Sequence, residues 1–475
     1  MRSGYLLLAG LLGANCAPAA TFAVSNIEDA GPGSLRQALL DANTASAPPH
    51  RVVFDTAYPA LGMIELFSPL PLVQVDLEID GAGRSPVVTV FDPGNSFPLL
   101  RTGRGLTLRK LSLNQGRGSG AGGCLSGEGT GDTHRLVLDR VAFSACTTVA
   151  VGTGSALGGA VSWSGTAPVS IVGSAFHGNG AVSLGTGAAL GGAVRVGGPL
   201  QIESSSFTGN LLNGGFVAGG AVSVYLARSG EIDIRDSAFT DNSAEPDPVA
   251  SPSGIGGALS LDCATSCTVT LARSYFGANR SRSAGAVFVR GNDVVVPLAL
   301  HNTGFVGNRA VDRGGALFVQ STQLDVRHAT FFDNGAAVGG HIYAALSPVG
   351  EVSNSVLAPV AAGSGASCSI GAAATLAIGN YRASADFSCN VSVPGATPIA
   401  DFRIAGVDSS TPLPVLVFDA SSPVVDGGDT ARCLPDDVLG DERPRDGNGD
   451  GNALCDSGAY EHPRNDRIFR DGFDG

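Results

Sequence analysis

Lysine is almost missing from this sequence. Lys110 is the only one, so that nearly all of the 29 basic residues are arginine, and genomic base composition accounts for that more simply than function does. Charge of either sign is scarce at 15% of residues, and the balance is acidic, net −13. An acidic surface argues against nucleic acid or an anionic membrane as the main partner. Long apolar runs are missing too, which excludes a transmembrane helix along the chain. The one short apolar stretch, Tyr5 to Leu12, follows Arg2 and precedes Ala17-Pro18-Ala19. That order reads as a secretory signal over residues 1–19, too short to span a bilayer. Cys16 would be the lipoprotein alternative, but Gly13 and Asn15 fit a lipobox poorly.

Glycine is abundant, 68 of 475 residues, while hydrophobic residues stay at 43%. A disordered Gly-rich chain would lack that apolar content, so the glycines are expected to punctuate short strands. Beyond the signal stand eight cysteines in four sequence-local pairs, Cys124/Cys146, Cys263/Cys267, Cys368/Cys389 and Cys433/Cys455. In an exported chain these are expected disulfides. Three pairs are 21 or 22 positions apart, and closing such a loop contributes about 3 kcal/mol in the chain-entropy picture. Zinc at Cys263 and Cys267 is the alternative, without a second ligand pair nearby.

Two short words alternate along the middle of the chain. One is Gly-Gly-Ala-aliphatic, as in Gly158 to Val161, Gly191 to Val194, Gly219 to Val222, Gly256 to Leu259 and Gly314 to Leu317, with degenerate copies at Gly285 to Val287 and Gly339 to Ile342. The other is F-x-x-N, at Phe176, Phe207, Phe239, Phe276, Phe305 and Phe331, each with Asn three positions on. Copies recur every 25 to 37 residues, the period of a solenoid. Apolar residues alternate after each glycine pair and before each F-x-x-N, which predicts two half-buried strands per repeat. Glycine pairs cost about 0.5–1 kcal/mol per residue relative to alanine, so they must serve positive-φ turns or close approach between coils. The phenylalanines are then expected to stack in the core, and the asparagines to form a hydrogen-bonded ladder. The fold class is an all-β, single-stranded, right-handed parallel β-helix, with a helical solenoid opposed by the glycine frequency and the β-branched alternation. In the earlier copy, Gly122-Gly123-Cys124-Leu125 then Phe143-x-x-Cys146, cysteine replaces the Ala of one word and the Asn of the other. The two positions should therefore adjoin, with Cα atoms within ~7 Å.

The paired words resemble the polymorphic outer-membrane protein repeat of bacterial surface β-helices in the pectin-lyase-like superfamily, over about residues 122–345. Relatives often end in a membrane barrel, but too little sequence follows the repeats here. Ser422 to Gly428, Asp437-x-x-Gly440-x-x-Arg443-Pro444 and Asp456 to Glu461, together with Cys368 and Gly379-Asn380-Tyr381, resemble the choice-of-anchor Q type of region. Ile468 to Asp474 looks like a short C-terminal tag of exported proteobacterial proteins. The expected organisation is a signal (1–19), an N-terminal cap and first coils (20–115), the repeat β-helix (116–350), last coils with a disulfide-bonded C-terminal region (351–463) and a tail (464–475). Ser34-x-x-Gln37 is a capping-box pattern, and Leu35, Ala38, Leu39 and Ala42 share one face, so a short helix should cap the N-terminal end.

Candidate chemistry is sparse. Asp446-Gly447-Asn448-Gly449-Asp450-Gly451 fits the start of an EF-hand-like loop. Asp446, Asn448, Asp450 and Asp456 are thus the expected calcium ligands, Ser457 standing where the bidentate glutamate would be. A Gly/Asp-rich surface turn is the alternative. Of the words carried by the superfamily's hydrolases, Asp436-Asp437 lies outside the repeats, His177-Gly178 lacks the preceding glycine, and R-x-K is missing. Three successive coils carry Phe288, Phe318 and Tyr343 after the aliphatic position. If alternation holds they form an outward aromatic strip at ~4.8 Å spacing, suited to a sugar chain or protein partner unless the C-terminal segment buries it. The expectation is a monomeric, non-catalytic protein secreted by, or on the surface of, a Gram-negative bacterium. Its expected role is adhesion or surface display, through binding a glycan or a host or neighbouring cell-surface protein. The alternative is a polysaccharide lyase or glycoside hydrolase acting on an acidic polysaccharide.

Overall fold

The computed structural model describes residues 19–46, 48–90, 96–129, 133–245, 253–346, 349–371, 375–378, 381–384, 388–389 and 396–463. The predicted signal (save Ala19) and the C-terminal tail lie outside the described residues. The chain is a parallel β-solenoid, and each coil repeats the same path. Face I carries the strand after the glycine pair (Val161–Gly165), face II the next strand (Val169–Val172), and face III the phenylalanine strand (Ala175–His177). The chain then enters a side lobe through Gly180–Gly185 and Ala188–Leu190 before the next glycine pair. Face I stacks ten strands, and faces II and III are joined in one sheet of 24. Register is kept residue for residue, for example Val161 against Val194 and Phe176 against Phe207. The lobe's two rows enclose a small core of Ala150, Ala156, Ala181, Ala189, Leu212, Val217 and Ala244. Alanine keeps those rows close, and nothing in the repeat words announced the lobe.

The glycine pair does two jobs. The first glycine turns the chain with positive φ, as at Gly158 (63°) and Gly219 (72°). The second lets coils approach: a Cβ on Gly220 would stand 2.0 Å from the carbonyl oxygen of Gly257, and one on Gly257 equally close to Gly285. The degenerate copy obeys this division. Ala284 takes the first position at φ 59°, whereas Gly285 keeps the second.

Face III supplies the core stack. Seven rings from Phe143 to Phe331 lie with centroids 4.6–5.0 Å apart and planes within 9° of parallel. Beside it runs the asparagine ladder. Asn210 Nδ2 donates to Asn242 Oδ1 (2.9 Å) and to the Phe176 carbonyl (3.1 Å), while its Oδ1 accepts from Asn179 N (3.0 Å). The pattern continues to Asn334. A second ladder escaped the sequence reading: Ser174 N donates to Ser205 Oγ and Ser205 N to Ser237 Oγ, both 3.1 Å. Its signal was a serine two positions before the phenylalanine.

The asparagine ladder has two kinds of end, both built from the third residue of the glycine word. At the start, Cys124 and Cys146 are bonded, with Cα atoms 5.5 Å apart. At the finish, His341 replaces alanine, with Nδ1 3.2 Å from Asn334 Nδ2 and Nε2 2.5 Å from the Ala358 carbonyl oxygen. The other bonds are Cys263–Cys267, Cys368–Cys389 and Cys433–Cys455. At the N-terminal end, helix α1 (Leu35–Thr44) buries Leu35, Ala38, Leu39 and Ala42, and Ser34 Oγ accepts from Gln37 N (3.2 Å). Only half of the expected capping box forms. Ser34 N already donates to the Gly31 carbonyl, and the Gln37 side chain turns to Asp41.

Candidate functional site

From residue 110 to residue 354 each coil bends between faces II and III at one left-handed residue, and these residues stack into a column. Its last members hold the C-terminal region, here termed the cap. Arg273 Nη1 lies 3.2 Å from Asp436 Oδ2, and Asn302 Nδ2 donates to the Asp436 carbonyl (2.9 Å). Asn354 exchanges two bonds with the Asp429 backbone (2.7 and 3.0 Å). His328, wholly buried, receives Arg443 Nη1 at Nδ1 (2.7 Å). Arg443 also donates to the carbonyls of Asp456 and Gly458 and pairs with Glu461 (3.0 Å), both side chains fully buried. Burial, with the Arg443 charge beside it, pushes His328 down to about 2. Burial, with Glu461 near, pushes Asp456 up to about 8. The residues singled out as resembling an anchor region, Asp437, Arg443, Asp456 and Glu461, are therefore the polar interior of the cap, which Arg443 ties to the solenoid at His328.

That placement separates the expected calcium ligands. Asp456 has both oxygens turned to backbone N–H groups, of Asp426 (2.7 Å) and His462 (2.6 Å). Asp446 Oδ1 accepts from Gly449 N and Asp450 N and its Oδ2 from Gly451 N, while Asn448 Oδ1 accepts from Asp450 N and Asp450 Oδ1 from Asn452 N. The four do not assemble into one cage, because Asp456 is drawn into the cap interior. Among the described residues, the cluster of three or more His, Cys, Asp and Glu side chains close enough to share an ion is His328, Cys433 and Cys455, whose sulfurs are already bonded to each other.

The aromatic strip is also rearranged. Phe288, Phe318 and Tyr343 do align on the outer side of face I. However, Phe288 and Phe318 are 3% and 6% exposed, packed with Ala284 and Ile255. Arg290 lies over Phe288 and Arg313 over Tyr343. The rings meet edge to face, at 78° and 88°, so they offer no flat platform. The cover comes from the side lobe and neighbouring arginines, whereas the C-terminal region packs on face III against Val356 and Phe332. Further along the same outer column Arg195 is largely enclosed. Its Nη1 donates to the carbonyls of Val196 (2.7 Å) and Ser223 (3.3 Å), and burial lowers its pKa.

An open concavity lies elsewhere, over face II. A cavity of about 500 Å³ is lined by Arg135, Val137, Gln201, Glu231 and Asp233, among others. A second, of about 440 Å³, is lined by Arg51, Glu78 and Thr107 and shares Arg135 and Val137 with the first. The two join into a trough along the solenoid axis, floored by outward residues of successive face II strands in register. No sequence word marked it, because its lining residues differ from coil to coil. Glu231 and Asp233 stand two positions apart on one strand and so point the same way, about 6.6 Å apart along it. Comparison of the chain with protein-family models, curated proteins and solved structures returns no match.

Proposed function

We propose that this chain is an exported, non-catalytic β-helix scaffold that binds an extended glycan along the face II trough. One observation carries the reading: two contiguous concavities sharing Arg135 and Val137 run parallel to the axis, over coils whose inner residues are all engaged in core and ladders. A polymer with a regular repeat laid across coils of ~4.8 Å spacing meets a new set of outward side chains at each step. Arg135 at the junction and Gln201 two coils further on supply charged and neutral hydrogen-bond donors. Four disulfides and the apolar N-terminal stretch support export to the surface or surroundings of a Gram-negative bacterium. Kinship with surface β-helices of the polymorphic outer-membrane and choice-of-anchor Q types is part of the same proposal, carried by words that each have a structural role.

The test is a glycan array with the full chain and an Arg135→Ala/Gln201→Ala variant. Binding to one extended glycan class that falls about tenfold or more in the variant supports the proposal; unchanged binding overturns it. A second reading, a glycoside hydrolase, rests on Glu231 and Asp233. Their spacing approaches the separation of an inverting carboxylate pair. Release of new reducing ends from a bound glycan, abolished by Glu231→Gln, would replace the scaffold with the enzyme. Release of unsaturated uronate would point to a lyase.

A further inference from the structure

The bend column that holds the cap continues, uncovered, toward the N-terminus, where it presents Lys110 and Arg140. Both are left-handed like the capped members, with φ 53° and 55° against 42° for Arg273 and 49° for Asn302. Both occupy the residue after register-matched face II strands, as Arg273 does. We propose that this stretch binds an extended acidic segment of a partner protein, seated as the cap's own Asp436 is seated at the other end.

Three observations support it. The first is the internal precedent: the same column, in the same backbone conformation, already accepts a carboxylate on Arg273 and a main-chain carbonyl on Asn302. The second is charge. On the neighbouring outer face, Arg51 pairs with Glu78 and Asp80, Arg109 with Glu78 and Asp139, and Arg140 with Asp139. Among the described residues Lys110 forms no ion pair, so those four cations against three carboxylates leave one positive charge over, on a chain of net −13. The third is space. A cavity of about 310 Å³ lies over these residues, with Ser85 and Ser112 offering hydroxyls beside Lys110 and Arg140. A polypeptide suits it better than a free anion because the capped stretch uses side-chain and main-chain acceptors together, and the hydroxyls here repeat that pairing.

The probe is a peptide copying residues 429–437 of this chain, with blocked ends and a fluorescent label, titrated into the full-length protein by anisotropy. Saturable binding that falls tenfold or more in Lys110→Glu/Arg140→Glu, with unchanged thermal unfolding, is the expected result. Arg140 is exposed and Lys110 half-exposed beside an open cavity, so reversal should leave the fold intact. Carbodiimide coupling gives a second readout. It activates a bound carboxylate, the Lys110 amine attacks to form an amide, and the activator leaves as its urea carrying the carboxylate oxygen. Because Lys110 is the only lysine, mass mapping places that bond without ambiguity. Failure of the peptide to bind, binding indifferent to charge reversal, coupling confined to the N-terminal amine, or equal competition by acetate would each overturn the proposal.

Discussion

At the scale of single residues, the two glycines of each pair are not equivalent. Gly219 sits at positive φ, and a Cβ there would stand 2.1 Å from the Val222 carbonyl oxygen of its own turn. That contact lies within one coil and Ala284 shows the turn can absorb it, so an alanine should cost about 1–2 kcal/mol. Gly220 faces the Gly257 carbonyl, and a methyl there must push two coils apart, costing about 1–3 kcal/mol or more and spreading along the stack. Gly219→Ala should therefore be milder than Gly220→Ala in urea unfolding, as Ala284 already implies. The reverse order would contradict the division of labour. Asn242 is a comparable point of concentration. Its amide donates to Phe207 O and Asn279 Oδ1, and its Oδ1 accepts from Asn210. Asn242→Ala leaves several buried groups unpaired and should cost about 3 kcal/mol, read as a lower urea midpoint. Both words were legible in the sequence as turn, core and ladder. Which glycine served which purpose was not, because it depends on the carbonyl of a coil about thirty residues away.

At the scale of elements, the same aromatic spacing yields two geometries. Inside, face III rings repeat at the coil spacing in one register and lie parallel. Outside, Phe288, Phe318 and Tyr343 are packed beneath the lobe and the arginines and adopt the edge-to-face contact that their quadrupoles favour. The expected strip thus lies where alternation places it, but its cover is the lobe rather than the C-terminal segment, because the lobe leaves no repeat signature. The cap is the element whose stability should respond to pH. His328 stays neutral when folded down to about 2, so the unfolded chain takes up its proton first, below ~6.5, and stability falls with falling pH. Asp456 holds its proton when folded up to about 8, so stability from this group falls as pH rises between ~4 and 8. From pH ~4 to ~6.5 the two slopes oppose. Below that range the histidine dominates, and above it the aspartate, each at about 1.4 kcal/mol per pH unit at most. Urea midpoints should show a plateau with losses on both sides. His328→Gln should flatten the acid limb and Asp456→Asn the alkaline one; a variant that leaves its own limb unchanged would refute the assignment.

At the scale of the whole molecule, the ten strands of face I make a rod about 45 Å long. Helix α1 covers the N-terminal end, which removes the exposed edge that invites end-to-end pairing. Sedimentation should therefore report an elongated monomer at micromolar concentration, with a frictional ratio above that of a compact sphere. A concentration-dependent rise in mass would show that an end or the Lys110 stretch recruits a second copy instead. The trough and the uncovered bend column both belong to this scale. Each is a surface made by stacking residues from distant coils, and neither exists in any single repeat.

The sequence alone determined the solenoid, its two strands per repeat around the glycine and F-x-x-N words, and the helix over the first coils. Those features follow from local rules, namely side-chain alternation, glycine at turns and an amphipathic face, which any short window displays. Packing in three dimensions settled where the acidic C-terminal residues go. Asp456 reads as a loop ligand beside Asp450, yet burial with Arg443, Glu461 and His328 makes it part of the cap's interior. It decided equally that lone Lys110 stands in the same column that seats Asp436. Register between coils sets both outcomes, and register is a property of the stack rather than of any one word.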